Sequence, residues 1–153
     1  MIFQRIWQET KEGWSDLTGL IYPHTCAGCG QRLVKGEQEI CLACLLQIPQ
    51  THFHKDPQNP VWKLFRGRVK IGVTASYLYF EKGSKVQSIL HAIKYKGNQD
   101  LARQRGNIYG HILSRDGALN GADYLIPIPL HPLKLKMRGY NQSEVWGEGL
   151  AIA

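Results

Sequence analysis

The stretch Cys26-Ala-Gly-Cys29-Gly30, followed by Cys41-Leu-Ala-Cys44, contains every cysteine of this 153-residue chain. Each pair has two residues between its cysteines, and eleven residues separate the pairs. A two-residue spacer lets both sulfurs of a pair reach one ion, and two pairs complete a tetrahedron of thiolates with Zn–S distances of about 2.3 Å. The spacing therefore predicts a structural zinc site formed by Cys26, Cys29, Cys41 and Cys44, with no open position for catalysis.

Two other interpretations of the cysteines are a disulfide pair and a redox site. A redox Cys-x-x-Cys normally occurs once, beside a βαβ unit, whereas this chain has two such pairs. Gly30 permits a tight turn that points backbone N–H groups at sulfur. The segment 31–40 is long enough for a hairpin with Gly36 as a turn residue. Zinc would then fold a segment that is too small to bury a core.

The composition favours a cytoplasmic protein with a basic surface. No stretch approaches the ~20 apolar residues that cross a bilayer, and the charged N-terminus lacks the apolar core of a signal peptide. Nineteen basic and twelve acidic residues give a net charge of +7. Four thiolates holding one Zn²⁺ would lower that value to about +5. Such a surface favours phosphates or nucleic acid as partners, although a solvated basic surface is the commoner explanation.

Hydrophobic periodicity predicts an N-terminal amphipathic helix over residues 1–21 and a linker over 47–61. Beyond the linker, alternation from Ile71 to Tyr77 predicts a half-buried strand. A helix capped by Ser84 is expected next, followed by another from about Asp100 to Ser114. The apolar run 124–126 is interpreted as a buried strand, and Asn141 opens a last helix. Strand, helix, helix, strand, helix is an order typical of an α/β layer.

The loop before this last helix is a candidate phosphate or pyrophosphate site. A helix N-terminus attracts anions, and glycine allows close backbone approach. Asn141 and Glu144 stand in a capping-box relation. The candidate ligands are Lys134, Lys136, Arg138, Gly139 and Asn141. The alternative is a capped helix preceded by a solvated basic loop.

A second basic spot, Lys94-Tyr-Lys-Gly97, carries an aromatic residue between its charges. It could contact a phosphate or a base. More often such residues form the exposed end of a helix, where cations suit the helix dipole.

The order of these motifs resembles the ComF family of competence-associated proteins, which combine a double zinc ribbon with a phosphoribosyltransferase-like domain. The matching pieces after the N-terminal helix are Cys26–Gly30, Cys41–Cys44, Tyr79–Gly83, Ile93–Gly97, Leu101-Ala102, Pro127–Pro132 and Arg138–Gln142. The last two are the most specific. The resemblance covers the chain from about Tyr22 onward.

The resemblance implies an α/β protein in three parts. These are an N-terminal helix over residues 1–21, a zinc ribbon over 22–48, and the N-terminal portion of a type I phosphoribosyltransferase-like domain over 62–153. In that fold the loop after the first core strand handles pyrophosphate, and it matches residues 129–141. The resemblance also implies a role in DNA uptake and processing during natural transformation.

One part of the family pattern is absent. The acidic pair and Thr/Gly-rich loop that bind phosphoribosyl pyrophosphate do not occur here, so we expect the chain to be an N-terminal portion of a family member without transferase activity of its own. The leading function is assistance of DNA uptake, with single-stranded DNA or competence proteins as partners. The alternatives are a phosphoribosyltransferase in nucleotide metabolism that uses phosphoribosyl pyrophosphate and Mg²⁺ in the complete protein, and a non-enzymatic zinc-ribbon adaptor.

Overall fold

A computed structural model of the protein describes residues 23–153. The predicted helix over residues 1–21 lies outside this range. The chain divides into two compact units between Leu46 and Gln47. The four cysteines belong to the first unit, and the segment 47–61, interpreted above as a linker, belongs to the second.

Helices dominate residues 23–153. In chain order they are α1 (Leu42–Gln47), a 3-10 turn (Phe53–Lys55), α2 (Pro60–Phe65), α3 (Lys85–Tyr95), α4 (Gln99–Arg115), α5 (Pro132–Arg138) and α6 (Gln142–Ala151). Among the described residues, no helix combines the length and apolar character that crossing a bilayer requires.

The predicted α/β fold is wrong for the described part of the chain, because residues 23–153 form no sheet. Their β-type pairing consists of two isolated bridges, Thr25 with Arg32 and Gln50 with Leu78. Two backbone hydrogen bonds flank the second bridge. The N–H of Thr51 donates to the carbonyl of Tyr77, and the N–H of Tyr79 donates to the carbonyl of Pro49. The pairing stops there, so the expected strand over 71–77 does not form.

The run 124–126, expected to be a buried strand, is also corrected. Tyr124 and Ile126 are 84% and 87% exposed, and the segment belongs to no helix or strand. A strand is stable only when neighbouring strands take up its backbone N–H and C=O groups. No such neighbour is present in residues 23–153. The phosphoribosyltransferase-like domain therefore loses the sheet on which it would be built.

The predictions for the three longest helices are confirmed. Ser84 accepts a hydrogen bond from the N–H of Gln87 at the start of α3, Asn98 does so from Leu101 in α4, and Asn141 from Ser143 in α6. Each side chain satisfies a backbone donor that the first turn leaves free. In α3 the buried residues Val86, Ile89, Ala92 and Ile93 follow the helical repeat expected for one apolar face.

Three short helices, α1, α2 and α5, were missed by sequence reasoning, and the last two have a readable start. Asn59 caps α2 by accepting from the N–H groups of Val61 and Trp62, and His131 caps α5 by accepting from Leu133. Each cap is followed by proline at the first helical position, where its missing N–H costs nothing. A polar cap followed by proline is therefore the signal that marks both helices.

Helices α4 and α6 pack with their backbones in direct contact. A Cβ atom added at Gly106 would lie 2.3 Å from the carbonyl oxygen of Trp146, and one at Gly149 would lie 2.2 Å from that of Arg103. Gly110 of α4 also faces α6, and a Cβ added at Gly110 would lie 2.8 Å from the carbonyl oxygen of Leu150. Glycine is thus needed here for close approach, at the expense of helix propensity.

An apolar cluster extends this helix pair. Tyr77 stacks on Tyr109 of α4 with ring centroids 4.4 Å apart, and Trp146 of α6 lies 6.0 Å from Tyr77. Leu113 completes the buried centre of the cluster. The segment expected to be a strand therefore delivers Tyr77 to a helical core instead of to a sheet.

We predict that Gly106→Ala destabilises the second unit by about 1–3 kcal/mol or more, the usual cost of overpacking. The new methyl group would meet backbone atoms, which cannot move aside as a side chain can. Gly147→Ala is the matched control in α6, since nothing lies within 4 Å of its added Cβ. It should stabilise the helix by up to about 1 kcal/mol. Urea unfolding followed by circular dichroism measures both changes, and equal free energies of unfolding would contradict the predicted contact.

Candidate metal centre

The four cysteines converge in the first unit. Their Sγ atoms all lie within 4.8 Å of one another, and Cys29 is exposed while the other three are buried. The Sγ atoms of Cys29 and Cys41 are 3.8 Å apart. Ligands about 2.3 Å from a tetrahedral ion are separated by roughly 3.8 Å, whereas disulfide sulfurs are about 2.05 Å apart. The cluster can therefore hold a metal ion.

A tight turn places the first pair. The carbonyl of Cys26 accepts a hydrogen bond from the N–H of Gly30 at 2.8 Å, and Gly30 has a φ of 75°. Few residues other than glycine adopt this left-handed conformation without strain. The bridge between Thr25 and Arg32 closes the turn behind it. The turn predicted at Gly30 is confirmed, and it brings the Cys26 and Cys29 side chains to one side.

The second pair lies at the start of α1, and Glu37 holds that helix in place. One oxygen of the Glu37 carboxylate accepts from the N–H of Leu42 at 2.7 Å, and the other accepts from Val34 at 3.1 Å. These two bonds lower the pKa of Glu37. Between them the chain turns at Gly36, whose φ is 95°. Gly36 is therefore a turn residue as expected, although residues 31–40 form no hairpin ladder.

Backbone N–H groups point at the sulfurs. Cys26 Sγ accepts from the N–H of Gly28 at 3.4 Å and from that of Cys41 at 3.3 Å. Cys41 Sγ accepts from the N–H of Cys44 at 3.4 Å. Such bonds orient thiolate ligands and stabilise their charge. This is the arrangement a thiolate metal site requires.

The thiols differ in how readily they ionise. Burial raises the pKa of Cys26, but the N–H groups of Cys41, Cys29 and Gly28 together bring it down to about 6. Burial and the neighbouring thiols raise the pKa of Cys44 to about 12. At neutral pH a bound cation would therefore have to displace the proton of Cys44, and metal affinity should fall as pH falls.

The predicted phosphate ligands lie in the second unit. Lys134, Lys136 and Arg138 belong to α5, a helix where a loop was expected, and the last two lie in its final turn. Gly139, with a φ of 77°, ends α5 by donating its N–H to Leu135. Asn141 caps α6 and donates from Nδ2 to the carbonyl of Ile128 at 3.0 Å. Gly139 and Asn141 thus have structural roles, and anion binding here stays a prediction.

Comparison of the chain with protein-family models, curated proteins and solved structures finds no match. The resemblance to the ComF family therefore rests on the sequence motifs alone.

We predict that Cys44→Ser abolishes stoichiometric metal binding and unfolds the first unit, because three thiolates leave the ion an incomplete ligand set. His24→Ala is the control, since His24 is an exposed potential ligand two residues before Cys26. It should keep its metal. Metal content after purification under reducing conditions, measured by mass spectrometry, gives the answer. A full metal content in Cys44→Ser would contradict the four-sulfur site.

Proposed function

We propose that the ion held by the four cysteines is zinc and that its role is structural. Tetrahedral tetrathiolate sites favour zinc or iron. Four protein ligands leave no vacant position for water or substrate, so such a site contributes to folding and not to catalysis.

Burial within the first unit supports the structural role. Of residues 23–46, those buried are Cys26, Ile40, Cys41 and Cys44. Three of these four are candidate ligands, so the core of this segment is essentially the site itself. Ordering each residue costs about 1–2 kcal/mol of backbone entropy, which the side chain of Ile40 cannot offset. Structural zinc sites supply roughly 10–16 kcal/mol of binding free energy.

We propose further that the chain handles DNA as a ComF-like cytoplasmic protein that assists DNA uptake and processing. The observation that carries this proposal is the three cations of α5, of which Lys134 and Arg138 line one cavity. None of Lys134, Lys136 and Arg138 forms an ion pair with another described residue. The net charge of the chain, +7 without metal and about +5 with zinc on four thiolates, adds long-range attraction for phosphates.

DNA handling fits the structure better than phosphoribosyl transfer does. A phosphoribosyltransferase carries its substrate loops on the ends of sheet strands, and residues 23–153 form no sheet. Binding of a polyanion needs only exposed cations at suitable spacing.

The identity of the metal has its own test. We predict about one zinc per chain in protein purified without added metal, with Zn–S distances of about 2.3 Å by X-ray absorption. A strong chelator should unfold the first unit, and added zinc should restore it. Stoichiometric iron would contradict the assignment of zinc while leaving the four-sulfur site intact.

We predict that Arg138→Ala weakens DNA binding and lowers the slope of log affinity against log salt by about 0.7 for single-stranded DNA, the value expected for one lost phosphate contact. Lys82→Ala is the control, because Lys82 is an exposed cation in a loop distant in sequence from α5. Fluorescence anisotropy with a labelled oligonucleotide over a salt series measures both values. Absence of salt-sensitive DNA binding by the parent protein would reject the proposal and favour the adaptor alternative.

A further inference from the structure

The two basic spots identified separately in the sequence meet in one cavity. A cavity of about 320 Å³ lies between the C-terminal end of α3 and helix α5. Its lining residues are Lys94, Tyr95, Gly97, Lys134, Met137 and Arg138. We call it the Lys94–Arg138 cleft. Lys134 lies 40 positions after Lys94 in the chain, so only the tertiary fold could reveal that they face the same space.

The charge of the cleft is of one sign. Lys94, Lys134 and Arg138 contribute three cations, and the described residues that line it include no acidic one. The Arg138 guanidinium donates one hydrogen bond, from Nη1 to Oε1 of Gln142 at 2.8 Å, and keeps further N–H groups for an anion. Lys94 and Lys134 form no ion pair with a described residue. Such a cleft attracts phosphate groups.

An aromatic ring lies beside these cations. The Arg138 guanidinium is positioned over the Tyr95 ring, with 5.4 Å between its central carbon and the ring centroid. Tyr95 is nevertheless 65% exposed. An exposed tyrosine ring and a guanidinium plane are both surfaces on which a nucleobase can stack.

A buried hydrogen bond joins the two chain segments that line the cleft. Tyr140, which is buried, donates a hydrogen bond from its hydroxyl to the carbonyl of Ile93. Ile93 directly precedes Lys94, and Tyr140 follows Arg138 by two residues. This bond ties the segment after α5 to the last turn of α3, so the backbone positions that carry Lys94, Tyr95 and Arg138 are held close together.

We propose that the Lys94–Arg138 cleft binds single-stranded nucleic acid, with the three cations on its phosphates and Tyr95 stacked on a base. The proposal rests on the DNA-handling function above and assigns to it two residues, Lys94 and Tyr95, from a segment outside the predicted phosphate site. A single strand is favoured over a duplex because its unpaired bases can unstack from their neighbours and stack on Tyr95. In a duplex every base is already paired and stacked.

The test uses the full zinc-loaded chain, a labelled dT20 strand and the dT20·dA20 duplex. Tyr95→Leu should weaken binding to dT20 by about tenfold, with little change in the salt slope because no phosphate contact is lost. Tyr95→Phe should retain the affinity, because it keeps the ring. Lys94→Ala should lower the slope by about 0.7. Tyr124→Leu is the matched control, since Tyr124 is an even more exposed tyrosine that does not line the cleft.

If Arg138→Ala weakens binding but Tyr95→Leu behaves like Tyr124→Leu, the base-stacking cleft is rejected and DNA handling stands. Equal affinity of the parent protein for duplex and single strand would also overturn it. If thymidine monophosphate competes as well as dT20 at equal nucleotide concentration, the ligand is a mononucleotide and the polynucleotide proposal fails. If the parent binds no DNA, both proposals fail together.

Discussion

The second unit depends on the contact between the backbones of α4 and α6. Glycines on both helices remove the side chains that would otherwise separate them, and Gly106 and Gly149 each face a carbonyl oxygen of the opposite helix. Such close approach gains dispersion contacts along two backbones. It also costs helix propensity at each glycine, about 1 kcal/mol relative to alanine. Packing of two helices thus supplies the organisation that the sequence pattern had suggested would come from a sheet.

This contact also determines where the cleft forms. Because α6 is fixed against α4, its first residues are fixed as well, and they include the cap Asn141. Asn141 in turn holds the carbonyl of Ile128 before α5, while Tyr140 bonds to Ile93 at the end of α3. Both ends of the segment carrying α5 are therefore anchored. The three cations of the cleft meet because of these anchors, although no bond joins them to one another.

Features set by local chemistry could be predicted from the sequence, and those set by distant partners could not. The two-residue spacing within each cysteine pair and the caps Ser84 and Asn141 act within a few residues, and the structure places them as expected. The alternation over 71–77 is equally local, but a strand also needs a neighbour that the alternation cannot specify. Lys94 and Arg138 line one cavity only through the tertiary fold, which no short pattern encodes.

The chemistry of the metal centre explains why anion binding should be sought in the second unit. One divalent cation with four thiolates carries a net charge of about −2, and that charge repels phosphate over a Debye length of about 10 Å at moderate salt. An ion that stabilises the first unit in this way would also reduce the attraction of that unit for a polyanion. The three cations that line the Lys94–Arg138 cleft instead attract phosphate. A thiolate metal site and a phosphate-binding cleft are therefore compatible in one protein when they lie in different parts of the chain.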